Sequence, residues 1–468
     1  MDTAEKKRKF KFPDTYVVIF LMVVVSAVLT WIIPAGSYER TTNEEGRTVI
    51  VDGTYEQAEE NSPVGIVGVF YAIEQGMVET ADIIFFIMFA YGFVHMLIKN
   101  GTFDGLMGAV IRKTRGMNAM WLFALIMVIF GILGSTMGMA EETYGMYPIF
   151  IMIGAAMGYD AIVGVSLVYI GVETGFASAT LNPFTVGVAN AISEISMTKE
   201  MLIYRIICFV IFEGVGIAYV ARYAAKIKKD PTKSLLYGTK YQNLGLDKTR
   251  EEMELAPVTT RHKLCGICFV VTIGLMVWGV LAKGWYIDEL STLFFIAMVV
   301  VGFVGGFSAD EIAVNFIEGA KSMLYGALIV GFSRGILVVL ENGNIIDTIL
   351  HFFATSLSGS SGVLSGIFQV IVQNFINFFI PSGSGQAATT MPIMAPLSDL
   401  LGISRQVAVL AETFGDGYSN MFIPTGVFTL CGIAGLPVDK WYKYIGKLFA
   451  IYFVLELVLI SVAILIGL

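Results

Sequence analysis

Apolar runs close to the length of a membrane span recur from one end of this chain to the other. The clearest are Val17–Ile33, Ile83–Ile98, Leu202–Ala225, Leu264–Leu281, Leu293–Phe307 and Leu448–Leu468. About 20 apolar residues cross the ~30 Å hydrocarbon core as a helix. Inside lipid every backbone N–H and C=O must be satisfied within the segment or by a closed barrel, and runs this long select helices. Composition agrees: 15% of residues are charged, against about a quarter in soluble domains. The first run ends in Trp31-Ile32-Ile33-Pro34 rather than a small-residue cleavage site, so it reads as a retained span and not a cleaved leader. The expected class is an all-α polytopic membrane protein.

Several functions are disfavoured at this level. No G-x-x-x-x-G-K-[ST] loop occurs, which argues against ATP hydrolysis by this polypeptide. No nucleophile–base constellation suggests an enzyme, and nothing points to nucleic acid. Cys265-x-x-Cys268 has metal-like spacing but no second pair, so helix packing is its expected role. The net charge of −8 says little, because sidedness follows the placement of Lys and Arg.

A search for internal repeats finds matching strings at a nearly constant offset. Glu74 and Glu318 are 244 residues apart, Asn100 and Asn342 are 242, Pro148 and Pro392 are 244, and Gly158 and Gly402 are 244. Glu173-Thr174 and Glu412-Thr413 are 239 apart, and Pro183 and Pro424 are 241. This order predicts a duplicated unit in which Glu412 is the mate of Glu173.

Basic residues place Lys6, Lys7, Arg8, Lys9 and Lys11 in the cytoplasm, with Lys99, Arg112, Lys113 and Arg115, and with the linker 226–263. The acidic loop from Ser37 to Ser62 belongs outside. Parity then requires segment 119–157 to enter and leave on one side, as a re-entrant hairpin with its tip at Gly134-Ser135-Thr136. One extra span inverts the second unit, whose hairpin at about 361–401 has its tip at Pro381–Gly385. The count is about nine full spans and two opposed hairpins, a plan recurrent in secondary transporters.

Each hairpin has a matching break in the following helix: Ser178–Pro183 in the first half, and Gly415–Asn420 running to Ile423-Pro424-Thr425-Gly426 in the second. Gly and Pro unwind helices. Freed carbonyls can hold a cation, and half-helix amides can hold an anionic group. Close helix packing through small residues is the alternative reading of each motif. Expected substrate contacts are Ser135, Thr136, Asn182, Thr185, Ser382, Gly383, Ser384, Asn420 and Thr425, and a sodium ion near Ser135, Asn182, Ser382 and Thr425 remains open.

Carboxylates at membrane depth are costly and mark sites or pathways. Glu141, Glu142, Glu173, Glu412 and Asp416 are the expected charge-compensating or coupling groups, unless they pair with Arg334 or Arg405 or cap a half-helix. Arg334 reads as the only basic residue deep in a span. That balance favours a cationic amino acid over a dianion, although bound sodium would reverse it. A channel is the remaining class, distinguished by flux without counter-substrate. His95 and His351 fall near span ends as interfacial residues.

The strings Gly171–Gly175, Leu181–Gly187, Pro381–Gln386, Ala411–Thr413 and Ile423–Gly426 resemble the anaerobic C4-dicarboxylate carrier-like (YfcC-like) family of the ion-transporter superfamily. The resemblance runs over nearly the whole chain. It implies an elevator-type carrier in the bacterial cytoplasmic membrane, usually a homodimer, with scaffold segments 1–117, 201–357 and 437–468 and transport segments 118–200 and 358–436. The family name suggests dicarboxylates, whereas the YfcC-like branch is generally described as proposed basic amino acid antiporters, including arginine–ornithine exchangers. The leading expectation is therefore an amino-acid antiporter or ion-coupled carrier, and the alternative is a sodium- or proton-coupled carboxylate transporter. No cofactor beyond a coupling sodium ion or proton is expected.

Overall fold

The computed structural model describes residues 15–42, 48–51, 53–102, 105, 119–244, 258–283, 285, 287–357 and 362–468. The N-terminal basic residues, Arg112, Lys113 and Arg115, and part of the central linker, on which the expected sidedness rests, lie outside these. Among the described residues, five helices are long and apolar enough to cross a membrane, six if one bent helix counts as a single span. The protein is a multi-pass, mostly helical membrane protein.

The order is α1 (Thr15–Ile32), four short strands, α2 (Ile66–Glu79), α3 (Ala81–Lys99), α4 (Ala119–Met137), a 3-10 turn (Glu141–Met146), α5 (Tyr147–Ala156) and α6 (Ala161–Ala177). A π turn (Pro183–Gly187) runs into α7 (Val188–Ile192), followed by α8 (Lys199–Lys229), α9 (Thr260–Lys283) and α10 (Ile287–Gly305). Then come α11 (Ala309–Asn342), α12 (Ile346–Leu357), α13 (Val363–Asn377), α14 (Gly383–Leu400), α15 (Arg405–Asn420), α16 (Pro424–Ala434) and α17 (Val438–Leu465). The bent helix is α11, whose arms Ala309–Tyr325 and Ala327–Asn342 meet at about 40°.

The duplicated unit is visible in the elements. α4 and α13 begin 244 residues apart, as do α6 and α15. Asp160 caps α6 through the amide of Val163, and Ser404 caps α15 through that of Val407, each satisfying a donor that a helix start leaves orphaned. Gly158 and Gly402 both take positive φ just beyond the second arm of each hairpin (81° and 70°). Pro183 and Pro424 each open the short helix after a break, the position where a missing N–H costs nothing.

The glycines were misread as breakers in two places. Gly134, Ser135 and Thr136 lie in the last helical turn of α4, and the tip falls at Gly138 (φ +72°) through Ala140. Gly134 lets α6 approach: a Cβ there would strike the Val172 carbonyl and the Phe176 amide. Likewise Gly415–Asn420 is helical, and the second break is confined to 421–423. A Cβ on Gly415 would meet Asn374 of α13, and one on Gly417 would meet Ala177 at the end of α6. Small residues here serve close packing, the alternative left open by the sequence.

Packing divides the helices into two groups. α1, α2, α3, α9, α10 and α11 pack on one another, with α11 against α2 and α3 and α10 against α3 and α9. The hairpin arms pack on their following helices, α4 and α5 on α6, and α13 and α14 on α15. α8 and α17 join this second group, through α6 and α4 and through α13 and α15. The groups meet mainly where α11 lies along α16 and α3 touches the 3-10 turn.

The acidic loop carries two antiparallel strand pairs, β1 (Gly36–Ser37) with β4 (Glu56–Gln57) and β2 (Arg40–Thr42) with β3 (Thr48–Ile50). It is tied to α12 by Arg40, which reaches both Asp347 carboxylate oxygens at 3.0 Å. His351 stacks on Tyr55 (centroids 4.0 Å apart) and meets the Tyr38 hydroxyl at 3.1 Å, in this loop assembly. His95 bridges α3 and α11 instead, 3.8 Å from Glu318, which Lys99 reaches at 2.8 Å. Cys265 packs between Asn100 and the Val301 carbonyl, in keeping with a packing role.

Candidate functional site

A cavity of about 380 Å³ opens where the two packing groups meet. Both hairpin tips line it, through Gly138, Ala140 and Glu141 and through Pro381, Ser382, Gly383 and Ser384. The helix ends flanking the breaks contribute Phe184, Asn420, Thr425 and Gly426, and α6 contributes Tyr169 and Glu173. The facing wall is Glu79, Thr80 and Asp82 together with Ser333 and Arg334 of α11. Duplication thus brings two tips and two breaks to one place.

Each tip is held by hydrogen bonds that follow from its sequence. In the first, the Ala140 amide donates to Glu142 at 2.8 Å, closing the turn on itself. Gly138 is required because a Cβ would run into Asn182 and Phe184. Asn182 accepts from the amides of Phe184 (2.8 Å) and Thr185 (3.4 Å), capping the helix that restarts at Pro183. Ser135 braces the unwound stretch: its carbonyl accepts from Thr180 N at 2.9 Å, and its hydroxyl accepts from the same amide at 3.1 Å. In the second tip, Ser382 accepts from the Gly385 amide at 3.3 Å. Asn377 donates to the Asp416 carbonyl (2.7 Å), Ser419 (2.6 Å) and Asn420 (2.8 Å), locking the hairpin to α15.

The expected substrate residues therefore divide. Ser382, Gly383, Ser384, Asn420 and Thr425 line the cavity, as do Glu141 and Glu173. Ser135, Asn182 and Glu142 use side-chain oxygens to build the tip and break, and Thr136 turns its hydroxyl back to Ile132 at 2.6 Å. Of the four residues considered for sodium, Ser135, Asn182 and Ser382 have oxygens engaged with backbone amides, while the buried Thr425 hydroxyl has no partner.

The carboxylates also separate. Glu173 follows its helix cap by 13 residues and Asp416 follows its own by 12, whereas Glu412 follows that cap by eight. Asp416, not Glu412, therefore sits at Glu173's depth, and the shared Glu-Thr dipeptide is a coincidence of composition. Glu141, Glu173 and Asp416 lie within electrostatic reach of one another. Asp416 is fully buried with both carboxylate oxygens unpartnered, next to Gly383, whose missing Cβ leaves 3.2 Å to Asp416 Oδ2. The Thr185 methyl group packs against the same glycine, and its hydroxyl is buried without a hydrogen-bond partner among the described residues.

None of these carboxylates pairs with Arg334 or Arg405. Arg334 Nε meets Glu79 at 2.7 Å, and Arg405 meets Asp399 at 2.8 Å. Arg334 is also not the only deep cation. Arg205 of α8 is 1% exposed; its Nη1 donates to the Ala179 carbonyl in the first break at 3.0 Å and lies 3.5 Å from Thr413. Arg205 thus joins α8 to the break and to α15, and it lies within electrostatic reach of Glu412 without forming an ion pair. The sequence reading also missed Glu79 and Asp82, which supply the cavity's facing wall. Glu79 carried a signal in its position beside Thr80, where α2 gives way to α3.

With Glu79, Asp82, Glu141 and Glu173 against Arg334 alone, the described lining holds four carboxylates and one guanidinium.

A family described as "C4-dicarboxylate anaerobic carrier" (DcuC) matches residues 12–465. An Escherichia coli K12 protein named "Putative basic amino acid antiporter YfcC" is 31% identical over 98% of both chains. A Haemophilus influenzae Rd protein with no activity in its name is 31% identical over 95% of both. Among solved structures, the Alcanivorax borkumensis YdaH transporter covers 97% of this chain and 99% of its own, at 14% identity and a TM-score of 0.43, a likeness too slight to rest an argument on.

Proposed function

This chain belongs to the DcuC family of C4-dicarboxylate anaerobic carriers, a family of secondary transporters, and from that premise we propose that it exchanges cationic amino acids across the membrane by an elevator movement. The observation that carries this reading is the chamber between the tips, where four carboxylates face one guanidinium that Glu79 already holds. A dianion placed there meets like charge from three helices and a tip. An arginine or ornithine side chain finds Glu173 and Glu141, and its α-carboxylate finds the amide end of α14 at Gly383 and Ser384, where the helix dipole favours negative charge.

The moving body, on this proposal, is the second packing group: the hairpins, the broken helices, and also α8 and α17, about 119–229 and 363–465. This is larger than the segments implied by family resemblance, because α8 and α17 pack on the hairpin arms. Glu79, Asp82 and Arg334 stay with the scaffold and are left behind as the body moves. The inverted arrangement of the halves, nine full spans, a cytoplasmic N-terminus and a homodimer complete the proposal, supported by the charge pattern and the family plan. The name of the Escherichia coli relative points toward the same cargo.

A carboxylate carrier driven by a cation is the second reading, favoured by one observation: among the described residues Asp416 has two buried carboxylate oxygens without a hydrogen-bond partner, beside the second tip. Thermal unfolding of the purified protein separates the two, since a ligand that binds only the folded state raises its midpoint. Arginine or ornithine raises it on the first reading, without a need for sodium. Succinate raising it only in sodium, with arginine inert, overturns that reading in favour of the second.

A further inference from the structure

Two carboxylates outside the cavity are related by the repeat. Glu213 of α8 and Glu456 of α17 are 243 residues apart. Each lies against the first arm of its own hairpin, at contact points also 243 apart: Gly131 on α4 and Asn374 on α13. A Cβ on Gly131 would stand 3.0 Å from Glu213 Oε2, so the glycine makes room for the carboxyl group. The Asn374 side-chain amide donates to Glu456 Oε2 at 2.8 Å. The duplicated unit thus places a carboxyl group at both equivalent contacts. Neither residue lines the chamber where cargo is proposed to sit.

Both side chains are enclosed, at 3% and 0% exposure. Glu213 faces no titratable group from α4 or α6, and Tyr452 faces it from α17. Glu456 faces Asn374 from α13 and Tyr418 from α15. Among the described residues no Lys, Arg or His faces either. An ionised carboxylate buried without a cation costs several kcal/mol, so the neutral acid is the form this environment accepts.

The hydrogen bonding of Glu456 points the same way. Its Oε1 and the Asn374 carbonyl oxygen are both buried and without a partner. With Glu456 ionised, two acceptors are left unsatisfied. One proton on Oε1 gives this group a donor, and the carboxylic acid no longer carries a charge that the surroundings leave uncompensated. Both Glu213 oxygens are likewise buried and unpartnered.

We propose that Glu456, held by Asn374, is a proton-binding site separate from the cargo chamber, with Glu213 its counterpart in the first half, so that protons are taken up from and returned to water as the hairpin body changes orientation. The proposal rests on the reading of the hairpin helices as one moving body and not on the identity of the cargo. Infrared spectroscopy of the purified full-length protein, titrated from acid to alkali in H2O and D2O, tests the binding step. The expected result is a buried carboxylic-acid carbonyl stretch that fades at high pH, is lost in part in Glu456→Gln and again in Glu213→Gln, and changes frequency in Asn374→Val. The same spectrum in wild type and both glutamine variants overturns the site. Proteoliposome uptake then tests coupling: an imposed pH gradient changes wild-type uptake, and Glu456→Gln loses that response while retaining gradient-free exchange. An undiminished gradient response overturns the coupling. Absent arginine uptake with an intact carboxyl signal counts against the cargo reading alone.

Discussion

Replacing Arg205 by Met removes a cation that the structure buries completely, and two losses follow. The first is the charge-assisted bond to the Ala179 carbonyl at 3.0 Å, worth about 1.5–3 kcal/mol. The second is the through-space attraction to Glu412, which makes no ion pair with Arg205; its Oε2 accepts from Thr413 at 3.5 Å and its Oε1 has no hydrogen-bond partner among the described residues. Because the two charges make no direct contact and Glu412 can take up a proton, the total is expected to stay near the value of the Ala179 bond, about 1.5–3 kcal/mol. Glu412→Gln alone removes the same attraction. The double variant Arg205→Met/Glu412→Gln removes both charges, which Thr413 links indirectly, so the cycle is expected to show a coupling of about 0.5–1 kcal/mol, the low end for residues in one network. The assay is the unfolding midpoint of each purified variant, with counterflow measured in parallel. Because Ala179 lies in the first break, Arg205→Met should also slow transport, and the double variant should regain stability without regaining the full rate. Additive losses, or an Arg205→Met protein as stable as wild type, would refute the argument that this pair supports the break.

Two further outcomes follow from the cavity and its packing. Glu173→Gln removes one charge-assisted contact with a cationic cargo, about 1.5–3 kcal/mol, and should raise the half-saturation concentration for arginine roughly 10- to 150-fold; an unchanged value in uptake assays removes Glu173 from the site. Gly417→Ala drives a methyl group into Ala177, where α15 crosses the end of α6, and should lower stability by about 1–3 kcal/mol. A midpoint equal to wild type would mean that this contact yields, and that Gly417 is not there for close packing.

The mostly helical, multi-pass character and the duplication were legible because they depend on long apolar runs and on cap, glycine and proline positions that recur at one offset; of the nine full spans expected, five to six helices among the described residues are long and apolar enough to cross. Tip and break positions were less so. Glycine next to serine and threonine has two physical uses, unwinding a helix and letting another helix approach, and only the neighbouring backbone decides between them. Gly134 and Gly415 approach a neighbour, whereas Gly138 turns the chain. The shared Glu-Thr dipeptide pairs Glu173 with Glu412, whereas the distance of each residue from its helix cap pairs Glu173 with Asp416. Arg205 and Glu213 did carry a signal. Both interrupt the apolar run Leu202–Ala225, and charged residues at such depth mark something by default. The chamber's far wall was beyond reach, since Glu79 and Arg334 meet from positions 255 residues apart.

The central claim is that the chamber carries a cationic amino acid. Counterflow in proteoliposomes loaded with unlabelled arginine or ornithine tests it most directly. The account predicts saturable uptake of labelled arginine that depends on the internal load, with no comparable uptake of succinate. Robust succinate counterflow, with no arginine or ornithine uptake under any internal load, would contradict it.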